Sequence, residues 1–150
     1  MTTARRFALF FAALALAPGL AHLLELPNKI GLSREQYLTV QQIYRGWALL
    51  GIVILGALVS TLVLTILSYG RRREFALALT AFLCIVGTQV VFWTFTFPTN
   101  QETLNWTILP GHWAALRAQW EYSHAASAVL NLGALVALIL SVPGEATLRS

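Results

Sequence analysis

The chain contains no aspartate, a single cysteine and few charges of either sign. Only 11% of its 150 residues are charged, where soluble domains carry roughly 25%. That scarcity excludes an ordinary water-soluble fold. Cys84 has no second cysteine for a disulfide or a metal cluster and reads as a small core residue. No G-x-x-x-x-G-K, dinucleotide-binding or nucleophile-elbow pattern occurs, so the templates of soluble enzymes fall away. The net charge of +4 does not point to nucleic acid. Its basic residues sit at the edges of apolar runs, where positive charge orients a chain in a bilayer.

What the sequence has in quantity is hydrophobicity: 57% of residues are apolar and the mean hydropathy is +0.68. Four runs reach the length of about 18 residues that a membrane crossing requires. They are Phe7 to Leu26, Trp47 to Tyr69, Phe75 to Phe97 and Tyr122 to Val142. The fold expected is one all-α domain, an integral membrane up-down four-helix bundle, with the lipid bilayer as its first partner and the cell (inner) membrane as its location. Ala15-Leu16-Ala17 has the form of a signal-cleavage site, but Pro18 follows directly and the apolar run continues, so a retained span is expected. Pro18-Gly19 predicts a kink in it, and Pro27 predicts its end near Leu26.

Orientation follows from arginine. Arg71, Arg72 and Arg73 crowd one short turn and mark it as cytoplasmic, together with Arg5, Arg6 and Arg149. Lys29, Arg34, Arg45 and Arg117 fall on the other side, so both termini are expected in the cytoplasm. In the outer connection, Ser33 and Gln36 have the spacing of a capping box. The helix it starts carries Tyr37, Gln41 and Tyr44 on one face; it reads as a surface helix able to run on into the second span. Gly46, Gly51, Gly56 and Ala57 are small residues suited to close helix packing in lipid. The third span ends in Phe92, Trp93, Phe95 and Phe97, as rings do at the headgroup level.

Most of the reactive side chains lie between Pro98 and Asn131. Arg117, Glu121, His124 and Asn131 stand at i, i+4, i+7 and i+14 on one helical stripe. Gln89 is the expected partner of Asn131 across the bundle, and Arg117 that of Glu121 one turn away. His22-x-x-Glu25 at the end of the first span mirrors Glu121-x-x-His124 at the start of the fourth. Inward Glu-x-x-His pairs hold metal in di-iron bundles. Two further carboxylates are missing here, so His22, Glu25, Glu121 and His124 amount at most to a mononuclear Fe, Mn or Zn site. Haem b between His22 and His124, or no metal at all, are the alternatives. Trp106, Trp113 and Trp120, seven residues apart, read either as an aromatic belt or as the walls of a pocket. Asn105-Trp106-Thr107 is also a formal glycosylation sequon.

Asn100, Asn105-Trp106, Pro110, Trp113, Leu116-Arg117 and above all Trp120-Glu121-Tyr122-Ser123-His124-Ala125 resemble the anthrone oxygenase-like family of small four-span membrane proteins. The resemblance implies a four-helix membrane bundle, and named fungal members oxidise polycyclic anthrones with dioxygen. It places the W-x-x-x-H element on Trp120 and His124 and a loop asparagine at Asn100 or Asn105; His22-x-x-Glu25 has no counterpart in it. The function expected is a membrane oxygenase or oxidoreductase acting on a lipophilic aromatic or quinone-like molecule. In it His124 is general base or metal ligand, with Glu121, Arg117 and Trp120 beside it, and Asn100, Asn105, Trp106, Trp113 and Trp93 contact the substrate. The alternative is a non-enzymatic accessory or ligand-binding subunit, docked on a membrane partner or on a second copy of itself.

Overall fold

The computed structural model describes residues 1–142, so Arg149 and the C-terminal end lie outside the described residues. Every regular element among the described residues is helical. Helix α1 spans Thr2–Lys29, α2 Arg34–Gln41, α3 Gly51–Leu67 and α4 Arg72–Val91. The backbone of α4 runs through a π-helical turn, Phe92–Thr96, into α5, Phe97–Glu102; α6 is Trp113–Leu140. Four of these helical stretches are long and apolar enough to cross a membrane: Thr2–Lys29, Trp47–Leu67, Arg72–Glu102 and Trp113–Leu140. The chain is an integral membrane protein.

The long helices close into a ring, α1 packing on α3 and α6, and α4 packing on the same two. Its interior is built largely of alanine, with Ala8 and Ala12, Ala57, Ala78 and Ala81, and Ala134 all wholly buried. Small residues suit this role because lipid gives no hydrophobic drive between helices, and close backbone approach supplies the dispersion contacts instead. The approach is closest where a Cβ added to Gly19 would lie 3.3 Å from the Ala128 Cα. Gly19→Leu is therefore expected to force α1 and α6 apart and cost about 1–3 kcal/mol, as overpacking does. Around Gly51 nothing lies within 4 Å of the same position. Gly51→Ala should leave the unfolding midpoint unchanged or raise it, and equal losses in the two variants would refute this packing.

At one end of the ring Glu74 joins two elements, its Oε2 lying 3.0 Å from Arg5 Nη2 and 3.5 Å from Arg71 Nε. The turn between α3 and α4 is as short as the sequence suggests, and Gly70 takes φ +88° there.

Several boundaries differ from expectation. Helix α1 continues through Pro27 to Lys29, because Pro27 forfeits only one backbone bond and the Ile30 N–H still reaches the Leu26 carbonyl at 3.0 Å. Helix α2 does not run into the second span. Two 3₁₀ turns, Gln42–Tyr44 and Trp47–Leu50, flank Gly46 at φ +88°, and the chain turns there. The Ser33–Gln36 capping box does form, with Gln36 N–H donating to Ser33 Oγ at 3.3 Å and Ser33 N–H to Gln36 Oε1 at 3.1 Å.

Beyond α5 three successive residues, Leu104, Asn105 and Trp106, adopt left-handed φ of 47°, 54° and 60°. Each such L-residue costs roughly 1–2 kcal/mol. Offsetting bonds run from Asn105 N–H to the Asn100 carbonyl (2.7 Å), from Trp106 N–H to Thr103 Oγ1 (3.1 Å) and from Gln42 Nε2 to the Trp106 carbonyl (2.8 Å). The outcome is an inward-turned Trp106, packed on Tyr37 and Trp120.

Candidate functional site

At the end of the bundle away from Glu74, the last turns of α1 present His22, Glu25 and Lys29 at i, i+3 and i+7, on one helical face. Helix α6 presents Trp120, Glu121 and His124 against them. The two imidazoles touch, with ring centroids 4.2 Å apart at 68°. Around His22 stand Tyr44 (4.6 Å), Trp120 (5.0 Å) and Trp47 (5.6 Å), while Trp120 stacks on His124 at 4.0 Å. The Trp120 indole N–H donates to Asn100 Oδ1 at 2.9 Å.

His124 Nδ1 lies 3.0 Å from the Trp120 carbonyl oxygen. A carbonyl can only accept, so Nδ1 carries the hydrogen and the neutral ring keeps its lone pair on Nε2. That nitrogen has the character of a base in an aromatic surround.

Beside the imidazoles lies a network of charge. Glu121 is completely buried. Its Oε1 is 3.0 Å from Lys29 Nζ and accepts from the Tyr37 hydroxyl at 2.9 Å. Lys29 Nζ donates to the Tyr44 hydroxyl at 2.8 Å and lies 3.8 Å from Glu25 Oε2. The Tyr44 hydroxyl donates to Glu25, and Gln41 Nε2 donates to the Tyr37 hydroxyl. The ammonium also sits 4.5 Å from the Tyr44 ring and 5.0 Å from that of Trp120, within cation–π range. Two carboxylates that would be costly if bare thus share one internal cation and two phenols.

Burial, then the Glu121 carboxylate, pushes the Tyr37 phenol far above its ordinary range; burial, then the bond to Glu25, does the same to Tyr44. Both phenols hold their protons more tightly folded than unfolded. The stability they contribute is full below about pH 10, the unfolded value, and is lost as pH rises beyond it. Alkaline titration should show the tyrosinate absorbance of Tyr37 and Tyr44, isolated by difference from the Phe variants, appearing only together with loss of helix. Ionisation of both in the intact fold would contradict this arrangement.

The predicted residues divide. His22, Glu25, Trp120, Glu121, His124 and Asn100 come together. Arg117 does not pair with Glu121: its Nη1 donates to the Leu32 carbonyl at 2.7 Å and its guanidinium lies 4.6 Å from the Trp113 ring. Lys29 has taken the carboxylate instead. Asn105 is exposed on its left-handed turn, and Trp93 is 59% exposed, its ring tilted against Phe97. Neither reaches the imidazoles. Trp106 and Trp120 are buried, so they form interior walls with Tyr37 and no belt, and Trp113 is half-buried at their edge. Asn131 does not meet Gln89, whose amide donates to Thr88 Oγ1 at 3.2 Å, and Asn131 Oδ1 has no protein partner.

The metal set is not assembled either. Among the described residues no three His, Cys, Asp or Glu side chains gather as ligands for an ion. Lys29 lies against both carboxylates and supplies the charge an ion would have brought, so of the four expected ligands the two imidazoles alone stay free of it. Haem b between His22 and His124 fails on space, since rings in contact leave no slot for a porphyrin.

Sequence reasoning missed Lys29, Tyr37, Gln41, Tyr44 and Trp47 as site residues. Lys29 was legible as the next step on the His22-Glu25 face; Tyr37, Gln41 and Tyr44 shared a face whose partner was not.

The π-helical turn and α5 are also cross-linked to α6. The π-helical turn widens the backbone, and Gln119 Nε2 donates to the Phe95 carbonyl at 2.9 Å and to Thr99 Oγ1 at 3.0 Å, while Thr96 and Ser123 hydroxyls meet at 2.8 Å. These bonds hold Asn100 where it meets Trp120.

Fold and site together define an all-helical integral membrane protein with a buried aromatic and ionic cluster at one end of its bundle. No family model, curated protein or solved structure matches the chain.

Proposed function

We propose that this chain is a membrane-embedded oxygenase or oxidoreductase of the anthrone oxygenase-like kind, acting on a lipophilic aromatic molecule with an acidic C–H or phenol. The observation that carries the reading is His124: its Nδ1–H is committed to the Trp120 carbonyl, and its Nε2 lone pair faces an aromatic surround. A positioned neutral imidazole takes a proton from such a substrate near neutral pH. The carbanion left behind adds dioxygen, and the hydroperoxide collapses to a carbonyl and water, so that CH₂ and O₂ become C=O and H₂O. Trp106, Trp120, Tyr44 and Trp47 are the aromatic side chains that a flat substrate would meet there.

The topology that goes with this reading is an up-down bundle in the cell membrane, both termini cytoplasmic and the His22–His124 cluster at the outer end. Supporting it, the arginine-rich turn and Arg5 share Glu74 at one end, and Lys29 meets Glu121 at the other. Reporter fusions after Arg73 should read cytoplasmic and after Gln101 external; the reverse would move the site to the cytoplasmic face.

A non-enzymatic ligand-binding subunit is the second reading, favoured by the way the Lys29, Glu121 and Tyr37 bonds close on one another as a structural ion pair would. The protein in lipid nanodiscs, given anthrone, separates the two. Dioxygen uptake with anthraquinone formation supports the enzyme. A co-purified lipophile with no uptake supports the binding subunit, and neither result with any lipophilic phenol would end both.

A further inference from the structure

The hydrogen bonds around Lys29 form a directed series. Lys29 Nζ donates to the Tyr44 hydroxyl at 2.8 Å, and that hydroxyl donates in turn to Glu25. Behind Lys29 stands Glu121 Oε1 at 3.0 Å. Exposure falls steeply along the series: the Glu25 side chain is 38% exposed, Lys29 5% and Glu121 0%. Its inner end is unfinished, because the buried Glu121 Oε2 and the buried His22 Nδ1 both lack any protein partner. A fully buried carboxylate oxygen without a donor is costly, and here it lies on the helix one turn before the base, His124.

We propose that Glu121, Lys29, Tyr44 and Glu25 form a proton path from the buried imidazole pair to the aqueous rim. The proposal rests on the reading of His124 as a base, and it identifies how that base is reset. Each step conserves charge. Imidazolium formed at His124 returns to neutral by giving its Nε2 proton to the Glu121 carboxylate through a water seated at the unpartnered Oε2, and the carboxyl group turns to carry it to the Lys29 side. Glu121 passes a proton to Lys29 as Lys29 releases one to the Tyr44 oxygen, Tyr44 releases its own to Glu25, and Glu25 releases it to water. One proton enters and one leaves, and every group ends as it began. From Lys29 onward the donor directions already point outward.

The other ionisable groups facing the path do not interrupt it. Tyr37 and, through it, Gln41 occupy the far side of Glu121 Oε1. Arg117 lies 5.6 Å from the Tyr37 ring and is bonded to the Leu32 carbonyl. His22 packs against Tyr44 with the rings tilted by 42°. Together Lys29 and Arg117 offset Glu25 and Glu121, so a proton crosses a cluster with no resting net charge. Tyr44 is the narrowest point, since its single hydroxyl both accepts and donates.

The test is proton exchange at His124 Nε2, followed by ¹⁵N NMR on the full-length protein in nanodiscs, with no substrate present. Tyr44→Phe keeps the ring and removes the relay atom, and Glu25→Gln alters only the half-exposed end. Both are expected to slow that exchange by about a hundredfold, the scale of a positioned proton-transfer group. Exchange of the Trp120 indole N–H, bonded to Asn100, serves as the reference for general opening and should not move. If Tyr44→Phe does not fold, Glu25→Gln decides alone. A change of less than about threefold in a folded variant overturns the path, because a bypassed group does not limit transfer. Anthrone turnover is read separately in the same samples. Slowed exchange without turnover in the wild type keeps the path and ends the oxygenase reading; turnover with unaltered exchange does the reverse.

Discussion

Lys29→Met is expected to destabilise the folded protein by about 3–5 kcal/mol, the cost of leaving a buried carboxylate without its cation. Glu121 is the reason: it is fully enclosed, with Lys29 as the only cation within ion-pair distance among the described residues. Its remaining support is one phenol bond, from Tyr37. Glu121→Gln should cost less, since a neutral amide accepts from Tyr37 and Lys29 without carrying charge. Combining Lys29→Met with Glu121→Leu is expected to recover much of the loss, because two apolar groups of similar volume replace a buried pair at little net cost. Arg117→Gln, at a residue held by a backbone carbonyl, should give a small effect that adds to either variant. A double-mutant cycle from reversible unfolding in mixed micelles checks all four. Additivity between Lys29 and Glu121, or coupling of Arg117 to Glu121, would contradict the Lys29–Glu121 pairing.

His124→Gln is expected to lower turnover of an acidic aromatic substrate by about 10²–10⁴-fold, the contribution of a positioned general base. Glutamine still offers polar atoms near the Trp120 ring, so the fold should stand, but it has no basic lone pair. The loss should fall on kcat. Trp120→Phe keeps an apolar ring beside His124 and gives up the bond to Asn100 Oδ1. Its effect should appear chiefly in KM, as orientation of the wall relaxes. Equal activity in wild type and His124→Gln would remove the base and leave the binding subunit as the surviving reading.

The contrast between Lys29 and Arg117 shows how far the sequence could be read. Arg117 and Glu121 are one turn apart on α6, so spacing alone pairs them. Lys29 is 92 positions from Glu121 in the numbering, and no periodicity links them. Pairing across such a separation is settled by how α1 packs on α6, and that in turn by the Gly19–Ala128 approach. Likewise Tyr37, Gln41 and Tyr44 are legible as one face of a capped helix. That the face turns inward depends on Gly46 and the 3₁₀ turns, which stop α2 from merging with the next span. Three left-handed residues in succession at Leu104 to Trp106 were not legible at all, since none is glycine and only tertiary bonds sustain them.

Composition and apolar run length alone determined that this chain is all-helical and lives in a membrane, because a bilayer admits few ways to satisfy a backbone and four runs were long enough to cross. Helical spacing also determined that His22 shares a face with Glu25 and Glu121 one with His124. Tertiary structure decided what those faces meet: two imidazoles in contact, a lysine in place of a metal ion, and an aromatic wall drawn from four separate segments. The physical reason is range. Periodicity reports neighbours within a turn or two of one helix, while the partner of a buried charge is chosen by desolvation, which depends on every element that closes around it.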